Sequence, residues 1–600
     1  MDKTLESFFT PKIIAVIGAS NHPGKVGHDV MQNLLKNYSG EIYPINPKDN
    51  KVVGKPAYAS ILKTPKIPDL AIIVIPAEFV TGVIKECGQK GCKNIVIISS
   101  GFKEVGPVGA ALEKQLVELK KKYKLRILGP NCLGYIATKP AANASFAATF
   151  PKIGNVAFLS QSGALGTAIL DMAQAQKLGL SFFVSLGNKC DINELDLLDY
   201  FAADKNTKVI LAYLESIDDG QKFIEVARRV SKIKQIIILK SGKTVAGGQA
   251  ISSHTGSLAG AAEIYSAAFR QSGVIEAEDV MDFFDLAEGF SYQDFPQGNR
   301  VAILTNAGGP GILLTDWLPA FGLQLAELSS TTQARLKKIL PLAANTHNPV
   351  DVLGDALADR YASALEILIQ DKNIDSIIVA LTPQRMTQIK DTAEMIGKLK
   401  AKCHKTVVLC FMGEEEIVKN YQTFAANHEP QFFYPLEAVK VLSRMYQYGL
   451  WQKEKLSLVA KAKTAKIKLS RISGFITEDV SQQILHQAKF PLYRAKFAKN
   501  IKEAVVATKS IGYPVAVKVV SPQVVHKSDV GGVKIGIKNE AELEKAISEM
   551  NAQVKKKVSG VRIHGYLVGE MVKGQEVIIG LKRDPQFGAV VMLGLGGIYT

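Results

Sequence analysis

Short apolar runs alternate with amphipathic stretches over the first three quarters of the chain. Between residues 12 and 136 the runs are KIIAVIGAS, EIYPINP, DLAIIVIPA, NIVIISSG and LRILGPN, each closing on Gly, Pro, Ser or Asn. Runs of this kind, separated by helix-length segments, predict parallel strands buried on both faces and joined by crossover helices. The rhythm restarts at 155 with NVAFLSQSGALG, LSFFVSLGN, KVILAYLES and QIIILKSG, and again near 298 with RVAILTNAGGPG, SIIVALTP and TVVLCFMG. It predicts α/β domains over 1–140, 150–292 and 298–450, the second and third sharing the plan of strand, polar residue, glycines and helix. The stretch WQKEKLSLVAKAKTAKIKLS has no apolar period and predicts an exposed linker over 451–472. From 473 to 600 the chain is richer in β-branched residues, and Val515, Val517 and Val519 alternate around Lys518, which predicts a strand carrying a lysine on one face. The chain stops at Thr600 just after a glycine pair, so this last domain is expected to be incomplete.

Composition narrows the function class. With 600 residues and 47% hydrophobic content the chain must divide into several cores. The N-terminus MDKTLESFFTPKIIAVIG lacks a signal-type apolar region, and no apolar run approaches the ~20 residues of a membrane span, so a cytoplasmic protein without membrane contact is expected. The six cysteines show no paired spacing and read as reduced, buried thiols. The net charge of +17 comes from scattered lysines, as in KQLVELKKKYK, which are not interleaved with a set of exposed aromatics. That argues against nucleic acid and leaves a surplus suited to anionic small molecules.

The candidate chemistry sits at strand ends. The first turn, GASNHPGKVG (18–27), lacks the GxGxxG spacing of a dinucleotide site. It leaves Gly18, Ser20, Lys25 and Gly27 where backbone N–H groups and a lysine can meet phosphate, although such a turn alone equally fits plain packing. NPK (46–48), IPAEF (75–79), SSGF (99–102) and GPNCLG (129–134) fall on the same predicted sheet edge, where open α/β sheets bind ligands. In the second domain SSHTGSLAG (252–260) sets His254 among small hydroxyl and glycine residues. Lone histidines are commonly structural, but a phosphoryl acceptor needs small, donating neighbours around a group of about two negative charges, and Ser252, Ser253, Thr255, Gly256 and Ser257 meet that need. QSGAL (161–165) joins a strand to its helix and aims the N–H groups of Gly163 and Ala164 at an anion. Glu215, at the strand end YLESIDDG, is either a cap or ion-pair carboxylate or the group that orients an imidazole.

These motifs resemble one family. The strand ends of the first block are similar to the CoA-binding domain of succinyl-CoA synthetase and the ADP-forming acetyl-CoA synthetases, which implies CoA contacts at Gly18, Ser20, Lys25, Asn46, Pro76, Ser99, Gly101 and Asn131. SSHTGSLAG, QSGAL and Glu215 resemble the family's phosphohistidine domain, which implies phosphorylation of His254, support by Glu215, and phosphate held at Ser162 and Gly163. TNAGGPG (305–311) and NPVDVLGD (348–355) resemble its ligase module, and the helix start at Gly308–Gly311 is a second candidate for the same phosphate. The last segment resembles the first part of an ATP-grasp domain, implying a nucleotide phosphate contact at Lys518, adenine beside Glu570 to Val572, and a ribose or nucleotide contact at Glu576. HKSDVGGV resembles a motif of the ADP-forming branch in which a second histidine, here His526, relays the phosphate.

The implied fold class is α/β: a Rossmann-like CoA-binding domain, two flavodoxin-like domains of succinyl-CoA-synthetase type, and a partial ATP-grasp domain. The implied activity is reversible conversion of acyl-CoA, phosphate and ADP to a carboxylic acid, CoA and ATP, with acetate as the family's usual acid. Magnesium and a homodimer are implied too, without nameable metal ligands. Two other readings stand beside it: a relative of the protein lysine acetyltransferases, whose copy of these domains commonly lacks the histidine, and a non-catalytic CoA or nucleotide sensor.

Overall fold

The computed structural model describes residues 3–244, 246–247, 262–427, 429–454 and 476–596. The chain divides into two units, Met1–Glu454 with Lys582–Val590, and Lys455–Leu581 with Val591–Thr600. Three sheets of the first unit follow one plan. In the first, five parallel strands run in the order Glu41–Ile45, Ile13–Ile17, Leu70–Ile73, Asn94–Ile97 and Arg126–Leu128. The parallel part of the second runs Leu180–Ser185, Ile153–Ser160, Val209–Leu214, Gln235–Lys240 and Ile275–Ala277. The third runs Gln324–Leu325, Arg300–Thr305, Ser376–Leu381, Thr406–Phe411 and Gln431–Phe432, with Val350–Asp351 also paired to Arg300–Thr305. Counted in each domain's own chain order, and leaving aside the two-residue strand Val350–Asp351, all three put the second strand outside the first and the third on its other side. That is the flavodoxin-like arrangement, with its switch point between the first and third strands. Strands such as Leu70–Ile73 are buried throughout, as apolar runs without alternation require.

The first two domains are locked together by main chain. Gly134–Thr138 and Ala141–Ser145 directly follow the first sheet yet form a hairpin on the edge of the second, pairing antiparallel with Leu180–Ser185. Asn33, on a helix of the first domain, donates its side-chain amide to the carbonyls of Ser145 and Ala147, each at 2.9 Å. The chain opens with a helix, Lys3–Phe9, which the apolar pattern does not announce. Phe8 and Phe9 are fully buried, and the Phe9 ring stands edge-on to Tyr135 at 5.0 Å and to Phe182 at 5.5 Å. This short helix is therefore a plug in a core shared by both sheets.

A second shared core joins the second and third domains through the helices Val280–Tyr292 and Pro435–Lys453. The latter runs on through Trp451–Lys453, so the first residues of the expected linker are helical; the Trp451 ring stacks on Tyr448 and takes Lys232 Nζ at 4.2 Å, which anchors that end. Residues 455–475 of the same expected linker lie outside the described residues. Burial first, then the charges of Glu437, Glu288, Asp282 and Asp279, push the Asp285 carboxyl in this seam up to about 8.

In the second unit an antiparallel sheet runs Ala495–Ala498, Gly565–Glu570, Val515–Val520 and Val533–Ile537, with the helices Ile501–Ile511 and Glu540–Lys557 packed into its core. Val515, Val517 and Val519 are buried while Lys518 is half-buried, as the alternation predicts. Among the described residues no helix is long and apolar enough to cross a membrane.

Two outcomes follow from the packing. Phe9→Ala should cost about 3–5 kcal/mol, read as a lowered urea midpoint, because the cavity would open among rings with no freedom to collapse; a loss below about 1 kcal/mol would contradict the plug. Asp285 keeps its proton in the folded chain where the unfolded chain has lost it, so its contribution is complete below about pH 4 and is lost as pH rises through about 8. Asp285→Asn should flatten the fall in stability over that interval, and an unchanged slope would refute the assignment.

Candidate active site

Loops at the carboxyl ends of the first two sheets face each other across a cavity of 690 Å³. Val74 to Pro76, Ile98 to Ser100 and Asn131 to Leu133 line one side, and Gln161 to Ala164, Gly187 to Lys189, Glu215 and Ser216 the other. Backbone bonds hold the two rims together: Asn188 N–H donates to Pro130 O at 2.8 Å, Cys190 to Gly129 O at 3.1 Å and Ile192 to Ile127 O at 3.0 Å. Gly187 is left-handed here, and a Cβ on it would lie 2.2 Å from Pro130 O, so only glycine allows the approach. Asp191 extends the seam by accepting the Ile127 N–H at 2.8 Å and pairing with Arg126 and Lys120.

The anion end is built at Ser162. Its Oγ caps the helix Gly163–Ala175 by accepting the Leu165 N–H at 3.3 Å, and its N–H and carbonyl are tied to Ser160 Oγ at 3.2 and 2.7 Å. The N–H groups of Gly163 and Ala164, in the first turn of that helix, have no intrahelical acceptor and stand at the positive end of the dipole, on the cavity. Leu133 stands beside this helix start, 3.6 Å from where a Cβ on Gly163 would be, and Phe146 lines the same cavity. An apolar wall thus meets an anion-binding helix end.

Charges around the cavity are paired. The Glu104 carboxylate accepts the Gly101 N–H at 2.6 Å, the Phe102 N–H at 3.1 Å and the Asn188 amide at 2.6 Å. Burial works against its charge, but the Asn188 and backbone bonds outweigh it and hold the carboxyl below the ordinary carboxylate range. Lys103 Nζ donates to Asn188 O at 2.6 Å, and the buried Lys189 pairs with Glu194 at 3.1 Å and Asp218 at 3.4 Å.

Of the residues expected to bind CoA, Pro76, Ser99 and Asn131 line the cavity, as do Ser162, Gly163 and Glu215 from the phosphate set. Gly18, Ser20, Lys25, Asn46 and Gly101 do not. Gly18 is left-handed and packed against Val74 O, Ser20 Oγ accepts the His22 N–H, Lys25 precedes the helix Val26–Asn37, the Asn46 side chain accepts the Lys48 and Asp49 N–H groups and donates to Ala19 O in the neighbouring loop, and the Gly101 N–H is taken by Glu104. Gly308–Gly311 opens a helix in the third domain without lining this cavity. His254 and its neighbours lie outside the described residues.

In the second unit Lys518 Nζ bonds Glu478 at 2.6 Å, Glu570 is held by Arg494, and Val572, Glu576 and His526 are exposed. Residues that sequence reasoning passed over are Gln161, Lys103, Glu104, Asn188, Lys189, Leu133 and Phe146. For Asn188 and Lys189 a signal existed: Asn188 closes the run LSFFVSLGN and Lys189 follows it, in the loop at that strand's carboxyl end.

Comparison with known proteins agrees with this geometry. Family models match in order a CoA binding domain at 12–138, a succinyl-CoA ligase like flavodoxin domain at 153–290, a ligase-CoA domain at 301–454 and an ATP-grasp domain at 469–600. An acetate–CoA ligase (ADP-forming) I of Archaeoglobus fulgidus is 44% identical over 99% of this chain and 87% of its own length. This chain belongs to the ADP-forming acetate–CoA ligase family. A 4-hydroxybutyrate–CoA ligase (ADP-forming) of Nitrosopumilus maritimus is 40% identical over 98% of the chain and 86% of its own length, so named substrates differ among such ligases. The solved dinucleotide-forming acetyl-coenzyme A synthetase 1 of Ca. Korarchaeum cryptofilum, in complex with phosphate and ADP, is 38% identical and matches 75% of this chain and 97% of its own with a TM-score of 0.71. The rival readings lose ground, because relatives named as ligases span the whole chain, ATP-grasp segment included.

Proposed function

We propose that the chain is an ADP-forming acyl-CoA synthetase that interconverts acyl-CoA, phosphate and ADP with a carboxylic acid, CoA and ATP, with acetate the first acid to test. The observation that carries this reading is the cavity at the carboxyl ends of the first two sheets, where a capped helix start, an apolar wall and Glu215 converge. A phosphate bound at the N–H groups of Gly163 and Ala164 attacks the thioester carbonyl; the C–S bond breaks, CoA leaves as the thiol, and an acyl phosphate remains. An imidazole nitrogen of His254 then attacks phosphorus, the P–O bond to the acyl group breaks, and the carboxylate departs. Glu215 is the carboxylate proposed to orient that imidazole. An imidazole nitrogen of His526 next attacks phosphorus, the P–N bond to His254 breaks and a P–N bond to His526 forms; finally a β-phosphate oxygen of ADP attacks phosphorus, that second P–N bond breaks, and ATP forms with both imidazoles free.

Such transfers rest on positioning and fixed dipoles more than on acid–base groups, which suits a cavity made of helix starts and paired charges. Among the described residues no group of three or more His, Cys, Asp or Glu side chains comes together as a metal site. Magnesium belongs to the proposal on the family resemblance, without named ligands. A cytoplasmic homodimer completes the proposal, on the family resemblance.

Incubation with labelled phosphate and acetyl-CoA should place acid-labile, base-stable label on the protein, and ADP should chase it into ATP. His254→Asn should abolish labelling, and retained turnover would sink the mechanism. His526→Ala should still accept label from acetyl-CoA and phosphate but fail to form ATP, and normal ATP synthesis in that variant would remove the relay.

A further inference from the structure

Glu215 follows the last residue of the strand Val209–Leu214, where a loop has freedom to turn its peptide planes either way. The structure removes that freedom with side chains drawn from distant parts of the second domain. Gln161 Oε1 accepts the N–H of Glu215 at 2.7 Å and of Ser216 at 2.9 Å, and Gln161 Nε2 donates to Ser216 O at 2.8 Å. Lys240 Nζ donates to Glu215 O at 2.8 Å, and Lys189 Nζ to Ser216 O at 3.2 Å. Both N–H groups and both carbonyls of the dipeptide are therefore occupied, which fixes the two peptide planes and the direction of the Glu215 Cα–Cβ bond.

The clamp is itself anchored. Gln161 sits at the carboxyl end of the neighbouring strand and donates its own N–H to Tyr213 O at 3.1 Å. Lys240 is 3% exposed and lies over the Tyr265 ring at 4.5 Å, and Lys189 is held by its ion pair with Glu194. A second consequence concerns the phosphate: the Glu215 and Ser216 N–H groups already serve Gln161, so this loop adds no backbone donors to the anion site at Gly163.

We infer that Gln161 is a positioning residue for the acyl-CoA synthetase reaction, its amide aligning the Glu215 carboxylate in the cavity through the Glu215–Ser216 backbone. This rests on the role proposed for Glu215. It gives the first residue of QSGAL a task separate from the anion binding of the residues that follow. A glutamine suits the task because one planar amide offers an acceptor and a donor side by side, matching the N–H pair and the carbonyl of the loop.

The test is a double-mutant cycle in the full chain, reading phosphohistidine formation from acetyl-CoA and labelled phosphate. Gln161→Leu should slow labelling about 10- to 100-fold, the range that misplacement of a catalytic group by about 1 Å produces, with the KM for phosphate little changed. Glu215→Ala should also slow it, and the double variant should be no slower than Glu215→Ala alone, because Gln161 then has nothing left to align. A Gln161→Leu enzyme at full rate, or losses that multiply in the double variant, would overturn the inference while leaving the role of Glu215 standing. A Glu215→Ala enzyme at full rate would remove that role and this inference with it. If Gln161→Leu fails to fold, judged by its melting transition, Gln161→Glu takes its place: it keeps the acceptor for both N–H groups, loses the donor to Ser216 O, and should show a smaller loss that again vanishes in the Glu215→Ala background.

Discussion

The site depends on a main-chain seam. Loops 127–131 and 187–192 come from different sheets, yet they exchange backbone hydrogen bonds at Ile127, Gly129 and Pro130, closely enough that a side chain at Gly187 would strike a carbonyl. Parallel sheets gather their functional loops at the carboxyl ends of the strands. Two such sheets make one cavity only if those edges face each other. The seam enforces that orientation, and the hairpin Gly134–Ser145, which leaves the first sheet and joins the second, makes it a continuation of the chain.

Electrostatics inside the seam follow a consistent division. The carboxylates and lysines near the cavity are satisfied by one another or by backbone: Glu104 by three N–H groups, Lys103 by Asn188 O, Lys189 by Glu194. With these charges internally balanced, the groups left to meet an anion are the N–H groups of a helix start, which carry a fixed dipole and need no reorganisation when charge develops. The distribution of charge also gives the net +17 a bland meaning, since the lysines of the helix Pro107–Tyr123 lie mostly on its exposed face.

Much of this was legible in the chain. Apolar runs located the sheets because a strand buried on both faces leaves no alternation, and the turn residues marked the carboxyl ends where ligands bind. Ser162, Gly163 and Glu215 stand at such strand ends, Pro76, Ser99 and Asn131 were implied by the family resemblance at others, and all six lie on one cavity. Gly18 and Asn46 carry the same signal yet lie off this cavity and join neighbouring loops, Gly18 packing against Val74 O and Asn46 donating to Ala19 O, because a glycine or asparagine after a strand looks identical in sequence whether it packs or binds. The helix Lys3–Phe9 went unpredicted, since about two turns ending in two phenylalanines have too short a period to read; its existence rests on the aromatic cluster it enters.

The sequence by itself determined the principal strands and their α/β class and the chemistry available at each strand end, because those depend on neighbours along the chain. Tertiary structure decided the partners. Gln161 reaches Glu215 across 54 residues and Arg126 reaches Asp191 across 65. An amide or a guanidinium shows no preference in sequence among the many carbonyls and carboxylates it might meet. That choice is made by packing, once burial has fixed which loops share an edge and every buried polar group must find a partner within hydrogen-bond reach.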